Sequence, residues 1–167
     1  MSASLPSHAQ TVIVGGGIVG CSVAYHLTKL GRKNVVLLEQ GELTGGTTWH
    51  AAGLVTQLRN SHTLIEIAKY GVDLYSQLES ETGQSIGFDQ TGSITVARTE
   101  GRMDELKKIT SLARASGVEI EPISVYEAGE MWPLMQTTDL IGAIHIPKDG
   151  QTLPGETAEA MAKGAKD

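Results

Sequence analysis

The hydrophobic pattern of the first forty residues predicts a strand, a helix and a second strand. The β-branched run Thr11–Val14 is typical of a buried parallel strand and stops at a glycine-rich turn. Apolar residues then recur at helical spacing from Ile18 to Leu30, and residues 34–39 form a second apolar run. The apolar side of this helix comprises Val19, Val23, Leu27 and Leu30. We therefore expect a βαβ unit with a right-handed crossover.

The remainder of the chain mixes helical and strand-like patterns. Residues 41–60 show neither a helical nor a strand period of apolar residues, so they predict a long loop. A loop of this length inside a compact domain is usually functional. In the predicted helix over residues 102–116, the apolar side comprises Met103, Leu106, Ile109 and Ala113. Ser124 and Glu127 form a capping box at the start of the next helix. Further helices are predicted over residues 63–82, 102–116, 124–131 and 154–165, and further strands over 92–97 and 140–146.

Composition narrows the class of protein. The 167 residues are enough for one domain with a core, and a net charge of −6 argues against nucleic-acid binding. The single cysteine, Cys21, excludes an internal disulfide and a cysteine-built metal site, and no metal site is predicted. No apolar run approaches the roughly 20 residues that cross a membrane. Residues 1–10 are polar and are predicted to form an N-terminal tail. They are too short and carry too little charge for a signal or transit peptide, which favours a cytoplasmic protein, or a mitochondrial matrix protein if an N-terminal extension is missing.

The turn after the first strand carries a complete dinucleotide fingerprint, Gly15-x-Gly17-x-x-Gly20. Gly15 permits the tight turn, Gly17 lets a diphosphate approach the backbone, and Gly20 lets the helix pack on the strand. Glu39 lies at the end of the second strand, about 20 positions after the fingerprint. A carboxylate there accepts hydrogen bonds from the hydroxyls of the adenosine ribose, and it disfavours the 2′-phosphate of NADP. NAD and FAD share this fingerprint. The second glycine-rich segment, residues 45–48, favours FAD.

Residues 48–54, Thr-Trp-His-Ala-Ala-Gly-Leu, carry the most specific signal. Together with the fingerprint and residues 147–150, they resemble the FAD domain of the sarcosine and dimethylglycine dehydrogenase family, and the resemblance runs from about Thr11 to the end of the chain. In that family the histidine at this position is bonded to the 8α-methyl carbon of the flavin, so the resemblance implies covalent FAD on His50. The cofactor-binding residues expected on both grounds are Gly15, Gly17, Ile18, Val19, Gly20, Glu39, Gln40, Gly46, Thr47, Thr48, His50, Gly53 and Leu54.

The resemblance also implies an activity and a domain organisation. Members oxidise N-methyl amines such as sarcosine by hydride transfer to FAD, with tetrahydrofolate and an electron-transfer flavoprotein as further partners. The implied fold is α/β, a Rossmann-like FAD-binding βαβ unit with an incomplete part of a second, α+β substrate domain. Because members are several hundred residues longer, residues 11–167 are expected to be the N-terminal portion of the oxidoreductase domain. Alone, this fragment is expected to be poorly stable and inactive, and it offers no catalytic residue.

Two other readings stay open. The regulatory subunit of pyruvate dehydrogenase phosphatase resembles the same fold without the enzyme activity, and it lacks the linking histidine. An amino-acid oxidase with unlinked FAD would also carry the glycine-rich turn. His50 favours the dehydrogenase over both alternatives.

Overall fold

The structure is a computed structural model, and it describes residues 6–166. It divides into two compact units. The first unit comprises the described parts of Met1–Gly53, Tyr75–Phe88 and Thr152–Asp167, and the second comprises Leu54–Leu74 and Asp89–Gln151. Among the described helices, none combines the length and apolar character that crossing a bilayer requires.

The elements follow the predicted order closely. The strands are β1 (Thr11–Val14), β2 (Val35–Leu38), β3 (Leu54–Val55), β4 (Ser93–Ala97), β5 (Glu121–Ile123), β6 (Gly142–Ile146) and β7 (Gly150–Gln151). The helices are α1 (Ile18–Lys29), α2 (His62–Thr82), α3 (Glu100–Ala115), α4 (Val125–Met131) and α5 (Pro154–Gly164), and residues Thr48–His50 form a 3₁₀ turn.

The first unit contains the predicted βαβ arrangement. Strands β1 and β2 pair in parallel, with Thr11 opposite Val35 and Val14 opposite Leu38. Helix α1 joins the strands and packs against α5. The buried side of α1 comprises Gly20, Cys21, Ala24 and Tyr25, and that of α5 comprises Thr157, Ala158, Ala160, Met161 and Ala162. Most of these buried side chains are small, the exceptions being Tyr25 and Met161.

The predicted apolar side of α1 is therefore not its buried side. Val19 and Leu30 are 74% and 79% exposed, and Val23 is 43% exposed. Most of the large apolar residues of α1 lie on its exposed side, whereas three of its four buried residues are small. Val19 and Val23 instead line a cleft beside the glycine-rich turn.

The second unit is built on an antiparallel sheet of order β4-β6-β5. Ile144 and Ile146 on β6 are 1% exposed, and they belong to one core with Leu106 of α3. His145 lies between them on β6, faces the opposite side of the strand and is less buried. Strand β5 was not predicted, because it has three residues and contains Pro122, which a strand tolerates at a sheet edge.

Helix capping in the second unit follows the sequence. Thr99 accepts a hydrogen bond from the Arg102 backbone N–H at the start of α3, so the helix begins two residues before its predicted start. Ser124 and Glu127 form the predicted capping box of α4. Hydrogen bonds from the Ser124 backbone N–H and hydroxyl lower the pKa of the Glu127 carboxyl. The charged carboxylate thereby stabilises the first turn of α4.

Candidate functional site

The glycine-rich turn between β1 and α1 requires glycine for two reasons, backbone conformation and lack of space for a side chain. Gly15 has a φ of +106°, a conformation open to glycine, and its N–H donates to the Leu38 carbonyl at 2.8 Å. A Cβ on Gly20 would overlap the carbonyl oxygen of Gly15. A Cβ on Gly17 would stand 2.9 Å from the Thr48 hydroxyl oxygen. Gly15 is therefore required by its backbone conformation, and Gly17 and Gly20 by close contacts.

Thr48 joins the loop after β2 to the start of α1. Its hydroxyl oxygen accepts a hydrogen bond from the Ile18 backbone N–H at 3.0 Å, and the residue is 8% exposed. The start of a helix presents backbone N–H groups and a partial positive charge, and both favour an anion. Because a hydroxyl both accepts and donates, Thr48 retains its own hydrogen for an oxygen placed there.

The Glu39 carboxylate closes the turn from the end of β2. It accepts hydrogen bonds from the Gly16 N–H at 2.7 Å and from the Gly41 N–H at 3.0 Å. These bonds, that from Gly16 first, lower the pKa of the Glu39 carboxyl, which is exposed and therefore ionised at neutral pH. Each oxygen has a second acceptor position, so these bonds leave capacity for the hydroxyls of a ribose.

These residues surround a cleft of about 820 Å³ in the first unit. Ten of the thirteen predicted residues line it: Gly15, Gly17, Ile18, Val19, Gly20, Glu39, Gln40, Gly46, Thr47 and Thr48. The lining also contains Gly45, from the second glycine-rich segment, and six residues that the sequence reasoning missed, namely Ile13, Val14, Val23, Gly41, Glu42 and Ala51. The signal that could have identified them is proximity in sequence, because they lie in β1, in α1 and in the loop after β2, close to the predicted residues.

The geometry fits a dinucleotide. The cleft combines a helix start, backbone that excludes side chains, and an ionised carboxylate at the end of β2. These are the groups that bind the diphosphate and ribose of a dinucleotide in doubly wound folds. Among the described residues, no cluster of histidine, cysteine or carboxylate side chains could hold a metal ion.

His50 lies at the end of the 3₁₀ turn, two residues after Thr48. Its side chain is exposed, and Nδ1 lies 3.1 Å from the Gly46 carbonyl oxygen. A carbonyl only accepts, so in the neutral ring Nδ1 carries the hydrogen and Nε2 carries the lone pair. The Trp49 ring lies against the imidazole, with centroids 3.9 Å apart and planes tilted by 36°. Contacts to Gly46 and Trp49 thus restrict the ring's orientation.

The other three predicted residues lie outside the lining of the cleft: His50, Gly53 and Leu54. Gly53 has a φ of +78°, its carbonyl accepts from the Thr152 N–H at 2.9 Å, and a Cβ there would overlap the Thr152 carbonyl oxygen. Leu54 begins β3 opposite Gln151 and is 72% exposed. The glycine at position 53 is explained by this close backbone contact.

Comparison with known proteins places the chain in a family. The model of the FAD dependent oxidoreductase family matches residues 10–167. The chain is 46% identical to 4-methylaminobutanoate oxidase (formaldehyde-forming) of Paenarthrobacter nicotinovorans over 95% of its own length and 19% of that protein. It is 44% identical to the mitochondrial pyruvate dehydrogenase phosphatase regulatory subunit of Mus musculus, over 98% of the chain and 19% of that protein.

The mitochondrial sarcosine dehydrogenase of Homo sapiens is 43% identical, over 98% of the chain and 18% of that protein. The crystal structure of L-proline dehydrogenase from P. horikoshii superimposes with a TM-score of 0.90 at 30% identity, covering 97% of this chain and 42% of that one. The chain thus spans about a fifth of the length of the curated relatives it matches. The predicted resemblance is confirmed, and the chain belongs to the family of FAD-dependent oxidoreductases.

Proposed function

We propose that the protein carrying this chain oxidises a small N-methyl amine, with FAD bonded covalently through His50. When bound, the flavin accepts a hydride from the N-methyl carbon of the amine. The observation that carries the proposal is the 3₁₀ turn Thr48–His50, because it joins a hydroxyl at the helix start to an oriented imidazole two residues later.

The residues of the cleft would hold the nucleotide part of the cofactor. The N–H groups at the start of α1 would bind the diphosphate, and the Thr48 hydroxyl would donate its hydrogen to a phosphate oxygen while accepting from Ile18. The ionised Glu39 would accept the ribose hydroxyls. A Gly17 without a side chain leaves space for the diphosphate beside Thr48.

His50 would supply the covalent link through Nε2. Nδ1 faces the Gly46 carbonyl, so the neutral ring exposes its lone pair at the other nitrogen. An imidazole substituent withdraws electrons from the flavin ring, which raises its reduction potential and favours hydride transfer from an amine.

Similarity alone does not choose between the enzyme and its regulatory relative. The oxidase and dehydrogenase relatives are 46% and 43% identical to the chain, and the regulatory subunit is 44% identical. The proposal therefore depends on His50, and the proposed substrate class follows from the names of the similar enzymes. Tetrahydrofolate and an electron-transfer flavoprotein remain predicted partners.

The test is acid precipitation of the purified protein and of His50→Ala. We expect yellow colour in the wild-type pellet and, for His50→Ala, in the supernatant, because an unlinked flavin is released when the protein denatures. His8→Ala is the matched control, since His8 is also exposed but lies before β1. Sarcosine, dimethylglycine and 4-methylaminobutanoate are then added in turn, and loss of flavin absorbance and formation of formaldehyde are measured.

Each outcome separates the alternatives. A yellow His50→Ala pellet would show that the flavin is bonded to another residue. A yellow wild-type supernatant would favour an oxidase with unlinked FAD. A protein that binds FAD but reduces it with none of the amines would favour the non-catalytic, regulatory reading.

A further inference from the structure

Thr44, in the loop after β2, holds a backbone conformation that threonine rarely adopts. Among residues 6–166, two residues other than glycine have a positive φ, Thr44 at 66° and Asn34 at 55°. Asparagine enters this left-handed region comparatively easily, whereas a β-branched residue is an outlier there. A strained residue persists only where its surroundings hold it, and such residues are concentrated at active sites and ligand clamps. The reason for this conformation therefore lies in the contacts of Thr44.

The backbone of Thr44 is bound to the middle of the glycine-rich turn, within the first unit. Its N–H donates to the Gly16 carbonyl at 3.0 Å, and the Gly16 N–H donates to the Glu39 carboxylate at 2.7 Å. Leu43 packs on the same glycine, because a Cβ on Gly16 would stand 2.5 Å from Leu43 Cδ2. The loop after β2 thus holds the peptide groups on both sides of Gly16.

The loop continues from Thr44 directly into the lining of the cleft. Residues 45–47 line it, and the next residue, Thr48, accepts the Ile18 N–H at 3.0 Å through its hydroxyl oxygen. Thr44 and Thr48 therefore anchor the two ends of this segment, one to the turn and the other to the start of α1. Two of the three residues between the anchors are glycines, whose backbone is freer than that of other residues. The path of the segment therefore depends on its anchors.

We propose that Thr44 is a positioning residue for the diphosphate of the cofactor, because its left-handed backbone holds the Gly16–Gly17 peptide and residues 45–47 where they line the cleft. This inference rests on the proposed function, in the part that places the nucleotide half of FAD in the cleft. A peptide group is planar, so a hydrogen bond that fixes the Gly16 carbonyl also fixes the direction of the Gly17 N–H. A diphosphate then meets groups that are already oriented, which lowers the entropy cost of binding.

The experiment measures reversible binding of ADP, which is the adenosine diphosphate part of FAD, to the whole protein. His50→Ala is the parent of every variant, because its flavin is not bonded and can be removed. Titration calorimetry gives the affinity for ADP, and a thermal melt of each apoprotein gives its stability. Thr44→Pro has no N–H and a φ fixed at about −65°. We expect it to weaken ADP binding at least about tenfold, the effect of losing one hydrogen bond to a charged group.

Asn34→Pro is the matched control, since it makes the same change at the other left-handed residue. Asn34 precedes β2, at the end of the β1–β2 pair opposite the glycine-rich turn. The control should lower the melting temperature and leave the affinity for ADP unchanged. Thr44→Asn keeps the N–H and tolerates the left-handed region, so it should bind ADP as the parent does. If Thr44→Pro gives no cooperative melt, Thr44→Gly replaces it, and its added backbone freedom should weaken binding about two- to five-fold.

Two results would overturn the inference while leaving the proposed function intact. One is the parent's affinity for ADP in Thr44→Pro, or in Thr44→Gly where that variant replaces it. The other is an equal loss of affinity in Asn34→Pro and Thr44→Pro at equal loss of melting temperature, which would reduce Thr44 to a stabilising role. A parent protein that does not bind ADP would instead overturn the nucleotide site of the proposed function, and this inference with it.

Discussion

The two units of the chain use apolar side chains differently. In the second unit, Leu106, Ile144 and Ile146 are at most 1% exposed and fill one core. In the first unit, Val14 and Val19 are 84% and 74% exposed and line the cleft beside the glycine-rich turn. Large exposed apolar side chains grouped in this way are typical of ligand sites. Large apolar residues thus fill the core of the second unit, whereas in the first unit Val14 and Val19 line the candidate site.

The largest expected effect is on the core of the second unit. Leu106→Ala removes a fully buried side chain from α3, and the change should lower the free energy of unfolding by about 2–5 kcal/mol. Alanine favours helix, so the loss reflects packing alone. Urea unfolding followed by circular dichroism measures it.

The control for Leu106→Ala is Lys108→Ala, an exposed position on the same helix. It should change stability by less than about 0.5 kcal/mol. Equal losses in the two variants would show that the core described around α3 does not support the second unit.

The second prediction concerns the turn of the first unit. Gly20→Ala places a Cβ on the Gly15 carbonyl oxygen, so the turn must shift. Overpacking of this kind costs about 1–3 kcal/mol. Because the shift occurs where the diphosphate would bind, we expect the purified variant to contain clearly less FAD than the wild type while it still folds.

Gly71→Ala is the control for Gly20→Ala, since a Cβ at position 71 of α2 would meet nothing within 4 Å. It should raise stability by up to about 1 kcal/mol and leave FAD content unchanged. A Gly20→Ala protein with full FAD content would contradict the assignment of the turn as the diphosphate site.

The βαβ unit was predictable because both of its signals are local. A β-branched run before three spaced glycines, followed by a helical pattern, identifies β1, the turn and α1 without knowledge of distant residues. The same signals placed most of the cleft, since its lining comes from segments next to that turn.

Other features depend on contacts between distant segments, so no local pattern reveals them. Strands β3 and β7 have two residues each, too few for a period, and they form through pairing across the sequence. The need for glycine at position 53 arises from the carbonyl of Thr152. The hydrogen bonds from Gln57 and Ser93 to Asp149 were also hidden, although Pro147-x-Asp149-Gly150 was one of the segments that carried the family resemblance.

The smallest expected effect concerns an ion pair at the surface of the first unit, between α1 and α2. Lys29 Nζ lies 2.8 Å from Glu81 Oε2, and the Tyr25 hydroxyl donates to the same oxygen. The hydrogen bond from Lys29, then that from Tyr25, lowers the pKa of the Glu81 carboxyl below its ordinary value of 4.5. The side chains of Lys29 and Glu81 are 48% and 33% exposed, so water screens the pair.

Glu81→Gln should therefore lower stability at pH 7 by less than about 1 kcal/mol. A carboxyl whose pKa is lowered by folding stabilises the protein above its unfolded pKa and loses this effect as the pH falls through the folded value. The difference between wild type and Glu81→Gln should thus be constant near neutral pH and shrink below about pH 4.5. Thermal melts from pH 3 to pH 7 measure it, with Glu159→Gln on the exposed side of α5 as control. A difference that grows towards low pH would show that Glu81 contributes through its neutral form.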